Sequence, residues 1–189
     1  MVKNLIRKSL LEQGQLLSKN FIQKANIDIQ NAAIKHLDIR SSKNILSYFP
    51  YKNEVTLEII SQEFKKYKNN IFMPRIVSAN KLKFNLFKEN ATLEKNKYGI
   101  NEVKNEDYLD SVSFDLMFIP FVGVDKGGYR LGYGGGYFDR SLGNISFTEK
   151  KPIIVGLGYD FQILEESFAE SHDLKYDIVI TQTRIHSYS

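Results

Sequence analysis

The chain has 189 residues, of which 42% are hydrophobic, and its formal net charge at pH 7 is +4. This length and apolar content are typical of one globular domain with a sizeable core, and they exclude a disordered chain. The absence of cysteine excludes a disulfide framework, a thiolate nucleophile and a zinc-thiolate site. No apolar run reaches the roughly 20 residues of a membrane span, and the first residues lack a signal-peptide pattern. We therefore expect a cytoplasmic protein with no membrane partner.

Helical and strand patterns alternate along the chain. Spaced apolar residues predict amphipathic helices over residues 3–17 and 21–37. Further along, the patterns predict a helix over residues 54–67 behind an Asn53 cap, and strands over residues 44–49, 71–73, 82–87, 116–122, 153–157 and 178–181. All four prolines fall at or just inside the ends of these runs, where a missing N–H costs least. The order predicts an α/β fold in a single domain spanning residues 1–189, with a central mixed, mostly parallel sheet flanked by helices.

The polar segment 88–110 is long and weakly patterned. It is either a loop that crosses a functional site or an ordinary excursion over the surface. Loops of this length without secondary structure are uncommon in compact domains, and we favour the surface excursion.

Residues 116–142 hold more than half of the chain's twelve glycines, between an apolar run, an arginine and an aspartate. Glycine at positions 132, 134, 135 and 136 exposes the backbone and permits positive φ angles, so that successive N–H groups can point at one anion. The preceding segment is strand-like and the following one helix-like, which adds the positive end of a helix dipole. The composition is that of a polyphosphate cradle.

This cradle matches neither common nucleotide fingerprint. A Walker A loop ends in glycine-lysine-serine or threonine, whereas this one ends in Gly136, Tyr137, Phe138 and Asp139. A GxGxxG pattern fails because Tyr137 or Asp139 stands where the third glycine belongs. A glycine-rich surface turn is the plain alternative. Arg130 before the loop and Asp139 after it favour a site for phosphate and magnesium.

Other residues are candidate partners of the loop, although each also has an ordinary structural explanation. Lys3 and Arg7 are four apart on one helix face and could share a phosphate, or could simply be solvated. Glu54 is at the start of a predicted helix, where a carboxylate favours the dipole for structural reasons alone. Asp173 precedes the last apolar run and could reach a metal. No serine-histidine-acid arrangement is visible for any of the three histidines.

Together these segments resemble the 5-formyltetrahydrofolate cyclo-ligase family, also called methenyltetrahydrofolate synthetase. The most specific part is the pair of segments 115–120, DLMFIP, and 128–140, GYRLGYGGGYFDR. Further landmarks of the family occur in its order: Lys3 and Arg7, Glu54, Pro74 and Arg75, the segment 99–102 (GINE), the strand 155–157 (VGL), Gln162, and His172 with Asp173.

The resemblance implies an ATP-dependent ring closure of 5-formyltetrahydrofolate to 5,10-methenyltetrahydrofolate, with release of ADP and phosphate. It also implies a fold similar to that of sugar-phosphate isomerases and CoA transferases, with Mg²⁺ accompanying ATP. Such chemistry requires positioning and charge stabilisation rather than a covalent nucleophile. We therefore expect a monomer whose partner is a small molecule, a reduced folate, and no nucleic-acid partner.

The same resemblance implies roles for individual residues. Arg130 and Tyr137 would be catalytic, and Asp139 and Asp173 would hold the metal. Phe49 and Glu54 would bind the folate together with Tyr133, Gly134, Gly135, Gly136 and Tyr137. ATP would be bound by Lys3, Arg7, Arg130, Leu131, Gly132, Tyr133, Gly134, Gly135, Gly136, Tyr137 and Phe138.

The sequence departs from the family at three positions. Phe138 lacks the hydroxyl of a second tyrosine, Gly135 stands where some members carry a lysine, and Val103 stands where a proline is common. Because of the last difference, Glu102 is not assigned to the site.

Two other classes of function stay open. A different anionic small molecule could use the same scaffold, since fold does not determine function. A nucleic-acid module is disfavoured because the aromatic residues lie in apolar runs and no basic-aromatic tract occurs.

Overall fold

The computed structural model describes residues 2–79, 81–143, 145, 151–170 and 172–188. Four α-helices lie in this part of the chain: α1 (Val2–Gln15), α2 (Lys19–His36), α3 (Glu58–Tyr67) and α4 (Tyr137–Leu142). The strands are β1 (Asn44–Leu46), β2 (Asn70–Ser78), β3 (Lys81–Leu86), β4 (Leu93–Lys95), β5 (Asn101–Val103), β6 (Leu116–Phe118), β7 (Gly123–Val124), β8 (Arg130–Leu131), β9 (Ile153–Leu157), β10 (Ile178–Ile180) and β11 (Ile185–Ser187). None of the helices in these residues is long and apolar enough to cross a membrane.

Seven strands form the central sheet in the order β11-β10-β9-β6-β1-β2-β3. The five inner strands are parallel, and the edge strands β3 and β11 each pair antiparallel with their neighbour. Two small antiparallel hairpins, β4 with β5 and β7 with β8, lie outside this sheet. The predicted α/β fold with a mixed, mostly parallel sheet is confirmed.

Both faces of the sheet are covered by apolar side chains. Successive residues of a strand point to opposite faces. Ile45 accordingly packs in a cluster with Ala33 and Ile60 from the helices, whereas the next residue, Leu46, packs in a second cluster with Phe114 on the other face. This double burial explains why the parallel strands are short continuous apolar runs.

The predicted start of α3 is wrong. The helix begins at Glu58 rather than Glu54, and Asn53 is not its cap, because the Asn53 side chain donates to the carbonyl of Gly14 instead. The cap comes from α2: Gln30 Oε1 accepts hydrogen bonds from the N–H groups of Ile59, at 2.8 Å, and Ile60, at 3.3 Å. These N–H groups have no partner inside the helix, so Gln30 supplies what a local cap would have supplied.

Three predicted strand ends also differ from the structure by several residues. Strand β1 ends at Leu46 rather than Phe49. Strand β2 continues through Pro74 to Ser78. This is possible because its pairing with β1 ends at Phe72, so Pro74 is paired only with β3 and its missing N–H removes no hydrogen bond to β1. Strand β6 ends at Phe118 rather than Val122, shortly before Pro120, which has no N–H for a ladder.

Segment 88–110 is not a plain surface excursion. It contains the β4–β5 hairpin, which is attached to β2: Glu102 Oε1 accepts a hydrogen bond from the Ile76 N–H at 3.0 Å, and Arg75 donates to the carbonyl of Asn105 at 2.9 Å. The hairpin therefore has a defined position beside the sheet, and its residues reach the site described below.

Candidate active site

A cavity of about 350 Å³ opens beyond the carboxyl ends of β1 and β6. Ligands of open α/β sheets bind at this edge, where loops leave the strands. Phe49 follows β1, Pro120 follows β6, and Ile76 lies in the part of β2 that extends past β1. The cavity is also lined by the β4–β5 hairpin, through Asn96, Tyr98, Ile100, Asn101 and Glu102. The remaining wall comes from the glycine loop, residues 132–136, and its flanking residues: Arg130, Tyr133, Gly135, Gly136, Tyr137 and Phe138.

The glycine loop, residues 132–136, needs glycine for two different reasons. Gly134 and Gly136 have φ angles of 101° and 61°, which residues with a Cβ rarely adopt. Gly132 and Gly135 do not have positive φ, but a Cβ at Gly132 would lie 2.6 Å from both terminal nitrogens of Arg130. One at Gly135 would lie 2.7 Å from the ring of Tyr137. The loop is thus closely packed against the side chains that flank it.

Arg130 is held in place from three sides. Its side chain is 7% exposed, its Nε donates to the carbonyl of Pro120 at 2.8 Å, and its Nη1 donates to Asp139 Oδ2 at 3.2 Å. The ring of Phe138 lies 5.2 Å from its guanidinium carbon. A guanidinium fixed in this way is preorganised for an anion in the cavity, because no rearrangement is needed when the charge arrives.

Glu54 faces the same cavity from a turn that precedes α3. Its Oε2 accepts a hydrogen bond from the N–H of Tyr51 at 2.8 Å. The residues after it are in neither a helix nor a strand, and the Tyr48 hydroxyl donates to the carbonyl of Val55. Burial raises the pKa of Glu54 to about 7, although the Tyr51 N–H and the charge of Arg130 act in the opposite direction. A carboxyl group with such a pKa changes protonation near neutral pH.

One basic residue of α1, Arg7, lies against the glycine loop. Arg7 Nε donates to the carbonyl of Gly132 at 2.7 Å, and its guanidinium lies close to Gly134. Burial and the positive charge of Arg130 lower the pKa of Arg7. Within the part of the chain that the structure describes, Arg7 forms no ion pair with a carboxylate. Arg7 and Arg130 therefore present two positive charges, to either side of the loop, that an anion would stabilise.

The two predicted metal ligands lie on adjacent segments, and each is paired with a cation. Asp173 Oδ2 accepts hydrogen bonds from Lys3 Nζ at 2.6 Å and from the Glu170 N–H at 2.7 Å. Asp139 pairs with Arg130, and its other oxygen accepts from the N–H of Leu174 at 3.3 Å. Their carboxylate oxygens are ligands that Mg²⁺ prefers.

One member of this pair, Asp173, also belongs to a cluster of three candidate metal ligands. Among the described residues, only Glu170, His172 and Asp173 bring three such groups within 4.8 Å of one another. Lys3 Nζ lies 3.1 Å from Glu170 and 2.6 Å from Asp173, so its ammonium group already balances one of the two carboxylate charges of the cluster. Asp139 is not part of it.

The β4–β5 hairpin contributes an aromatic contact that the sequence did not predict. Tyr98 Oη lies 3.4 Å from Tyr137 Oη, and the two rings meet edge to face with centroids 6.3 Å apart. The hydrogen bond with Tyr98 and the nearby Lys97 ammonium lower the pKa of Tyr137. Glu102, which the departure at Val103 left unassigned, lines the cavity and accepts from the Asn96 side chain at 2.8 Å. The glycine-isoleucine-x-glutamate element was the signal that could have identified it.

A second cavity, of about 410 Å³, lies next to the first. It is bounded by α1 through Leu10 and Gly14. Lys52, Glu54 and Tyr133 line both cavities and so form the boundary between them. A reaction with two substrates has room on both sides of this boundary.

The predicted site residues fall into two groups. The first lines the first cavity: Phe49, Glu54, Arg130, Tyr133, Gly135, Gly136, Tyr137 and Phe138. The second lies outside its wall: Lys3, Arg7, Leu131, Gly132, Gly134, Asp139 and Asp173. Within the second group Leu131 differs from the rest, because its side chain is 2% exposed and packs in the core with Leu10 and Val122. That side chain has almost no exposed surface with which to contact a nucleotide.

Comparison with known proteins supports the resemblance along the entire described fold. The chain matches the sequence profile of the 5-formyltetrahydrofolate cyclo-ligase family over residues 1–182. It is 32% identical over 184 residues to the 5-formyltetrahydrofolate cyclo-ligase of Mycoplasma pneumoniae, covering 95% of this chain and 98% of that protein. The enzyme of the same name from Haemophilus influenzae is 31% identical over 161 residues, covering 82% of this chain and 85% of the relative.

Solved structures agree with the sequence matches. The NMR structure of 5,10-methenyltetrahydrofolate synthetase from Aquifex aeolicus superposes with a TM-score of 0.84 at 25% identity, covering 100% of this chain and 93% of that one. The synthetase structure from Mycoplasma pneumoniae has a TM-score of 0.78 at 27% identity, covering 96% and 99% of the two chains. The expectation of a ligase in folate one-carbon metabolism is confirmed by these matches, and cyclo-ligase activity implies ATP as co-substrate. The chain therefore belongs to the 5-formyltetrahydrofolate cyclo-ligase family.

Proposed function

We propose that this enzyme converts 5-formyltetrahydrofolate to 5,10-methenyltetrahydrofolate by phosphoryl transfer from ATP inside the first cavity. The formyl oxygen attacks the γ-phosphorus, and the bond from that phosphorus to the bridging oxygen of ADP breaks. The 10-nitrogen then attacks the formyl carbon and loses its proton. Finally the carbon–oxygen bond breaks, and inorganic phosphate leaves with the former formyl oxygen.

One observation carries this proposal. The residues that the resemblance assigns to the nucleotide, such as Arg130 and Gly136, line the same cavity as Phe49 and Glu54, which it assigns to the folate. Phosphoryl transfer requires the two reacting groups to be held in line and in contact. A shared cavity with a preorganised guanidinium in its wall supports that requirement.

The residues of the chain supply charge and orientation in this scheme. Arg130 stabilises the negative charge of the transferring phosphoryl group, and Arg7 and Lys3 bind ATP phosphates from the α1 side. Tyr137, with its lowered pKa, lies in the cavity wall where its hydroxyl can donate to a phosphoryl oxygen. Phe49 packs against the pterin, and the Glu54 carboxylate accepts hydrogen bonds from the N–H groups of its polar edge.

Magnesium is part of the proposal through Asp139 and Asp173. The oxygen donors fit the metal, and the cations that now pair with them, Arg130 and Lys3, are the same residues that we assign to phosphate. The phosphates of ATP would be additional partners of those cations, and the remaining oxygen lone pairs of the two carboxylates would hold Mg²⁺. The metal would neutralise the phosphate charge when bound.

The proposal is tested by following the absorbance of 5,10-methenyltetrahydrofolate with the purified protein. Product is expected only when 5-formyltetrahydrofolate, ATP and Mg²⁺ are all present, with one ADP released per product. Conversion without ATP, or none with the full mixture, would contradict it. The monomeric state and the cytoplasmic location stay predictions, and gel filtration with light scattering would test the first.

A further inference from the structure

The turn that carries Glu54 has an unusual backbone conformation. Among the described residues, Lys52 and Lys68 alone combine a side chain beyond glycine with a positive φ, of 54° and 57°. Such angles are disfavoured for residues with a Cβ. Lys68 has a structural explanation, since it ends α3 in the left-handed conformation that helix C-termini often adopt. Lys52 does not end a helix.

The turn itself does not require a lysine. The Glu54 N–H donates to the carbonyl of Tyr51 at 3.1 Å, which closes a four-residue turn with Lys52 at its second position. Turns with positive φ at that position favour glycine, asparagine or aspartate, and glycine would form this one with less strain. Strain that persists in a functional region points to a role for the side chain that causes it.

The side chain of Lys52 extends to the boundary between the two cavities. It lines both of them, and its Nζ lies 5.2 Å from the ring centroid of Tyr51 and 5.7 Å from that of Tyr133. No carboxylate of the described residues forms an ion pair with it. Tyr133 belongs to the glycine loop, so this exposed ammonium lies next to the loop and has no anionic partner among the described residues.

We propose that Lys52 is a substrate-binding residue that contacts an anionic oxygen of a ligand spanning the boundary of the two cavities. The inference rests on the proposed function, because that reaction brings two ligands with anionic oxygens to this place. One is the glutamate carboxylate of the folate, and the other is a phosphate of ATP. Both would accept a charge-assisted hydrogen bond from the Lys52 ammonium.

Equilibrium binding measured by calorimetry tests the proposal without turnover. ATP with Mg²⁺ is titrated without folate, 5-formyltetrahydrofolate is titrated without ATP, and 5-formyltetrahydropteroate, which lacks the glutamate, is the third ligand. We expect Lys52→Gly and Lys52→Met to weaken binding of one of the first two roughly tenfold, and Lys52→Arg to retain it. Loss for the folate but not for the pteroate identifies the carboxylate, and loss for ATP identifies the phosphate.

Lys68→Gly is the matched control. Both glycine variants remove a positive-φ lysine, so both should melt about 2–4 °C higher than the parent protein. Lys68 is remote from both cavities, and its variant should bind all three ligands as the parent does. If both glycine variants gain stability but only Lys52→Gly loses ligand binding, the loss is due to the missing lysine side chain and not to the relief of backbone strain.

Unchanged dissociation constants for ATP and 5-formyltetrahydrofolate in both Lys52→Gly and Lys52→Met would overturn the proposal. An equal loss in Lys52→Arg would also overturn it, because charge would then not be the cause. Absence of ATP-dependent product with the parent protein is a different result, and it would overturn the proposed function instead.

Discussion

Replacing Gly132 by alanine tests whether the glycine loop is shaped by its contact with Arg130. Gly132 does not have a positive φ, so alanine is compatible with its backbone. The new methyl group would lie 2.6 Å from Nη1 and Nη2 of Arg130. Because the guanidinium is also held by Pro120 and Asp139, it cannot turn away without losing hydrogen bonds.

The size of the effect follows from that distance. Non-bonded heavy atoms prefer a separation of about 3.5 Å or more, so the guanidinium must shift by about 1 Å. A misplacement of that size in a reacting group reduces turnover by about 100-fold, which corresponds to about 2.7 kcal/mol in the activation free energy. The fold should change little, since the clash involves one side chain at the cavity.

A double-mutant cycle with Arg130→Lys isolates the contact. The kcat/KM of methenyltetrahydrofolate formation is measured for the parent, Gly132→Ala, Arg130→Lys and the double variant. Lysine has no planar guanidinium at the position of the clash, so Gly132→Ala should have little further effect in that background. Thermal unfolding of all four proteins shows whether each remains folded.

Two results would refute the reasoning. Gly132→Ala with parental kcat/KM would show that the loop does not depend on this contact. A loss of the same size with arginine and with lysine at position 130 would show that the methyl group acts on something else, such as the nucleotide.

Three further predictions concern charge and capping. The pKa of Glu54 is raised from 4.5 to about 7, so its ionisation destabilises the fold as pH rises through that range. Glu54→Gln should unfold like the parent below pH 4.5 and be more stable above pH 7 by roughly 1–3 kcal/mol in urea titrations, and a difference independent of pH would contradict this. Asp139→Asn and Asp173→Asn should each raise the Mg²⁺ concentration for half-maximal activity by roughly tenfold or more, while Glu170→Gln, whose exposed carboxylate pairs with Lys3 and His172 and is not assigned to the metal, should not. An unchanged Mg²⁺ titration would remove that aspartate from the metal site. Gln30→Ala should lower the free energy of unfolding by about 1–3 kcal/mol, because it leaves two amides of α3 without an acceptor, and parental stability would show that water replaces the cap.

Local patterns in the sequence predicted the fold class because parallel strands covered on both sides must be apolar. The runs at Ile153–Leu157 and Ile178–Ile180 were identified with nearly their observed bounds for that reason. The pattern is less informative where a strand leaves the sheet. Strand β6 stops at Phe118 although the apolar run continues, because the following residues turn toward Arg130 and the hairpin that carries it.

Partners distant in sequence decided the features that were wrongly predicted. The start of α3 depends on Gln30, whose side chain comes from another helix, so no residue near Asn53 could reveal it. The β4–β5 hairpin was read as a surface excursion because its attachment to Ile76 through Glu102 joins segments 26 residues apart. In both cases a long-range hydrogen bond outweighs the local propensity of the segment.

The sequence by itself determined the α/β fold, the family and the glycine loop, because these depend on residue types in a given order along the chain. Only the tertiary structure decided what surrounds the loop. It placed Arg130 against Gly132, raised the pKa of Glu54 by burial, and brought Tyr98 to Tyr137. Packing density, desolvation and side-chain contacts arise between segments that folding brings together, and no pattern within one segment contains them.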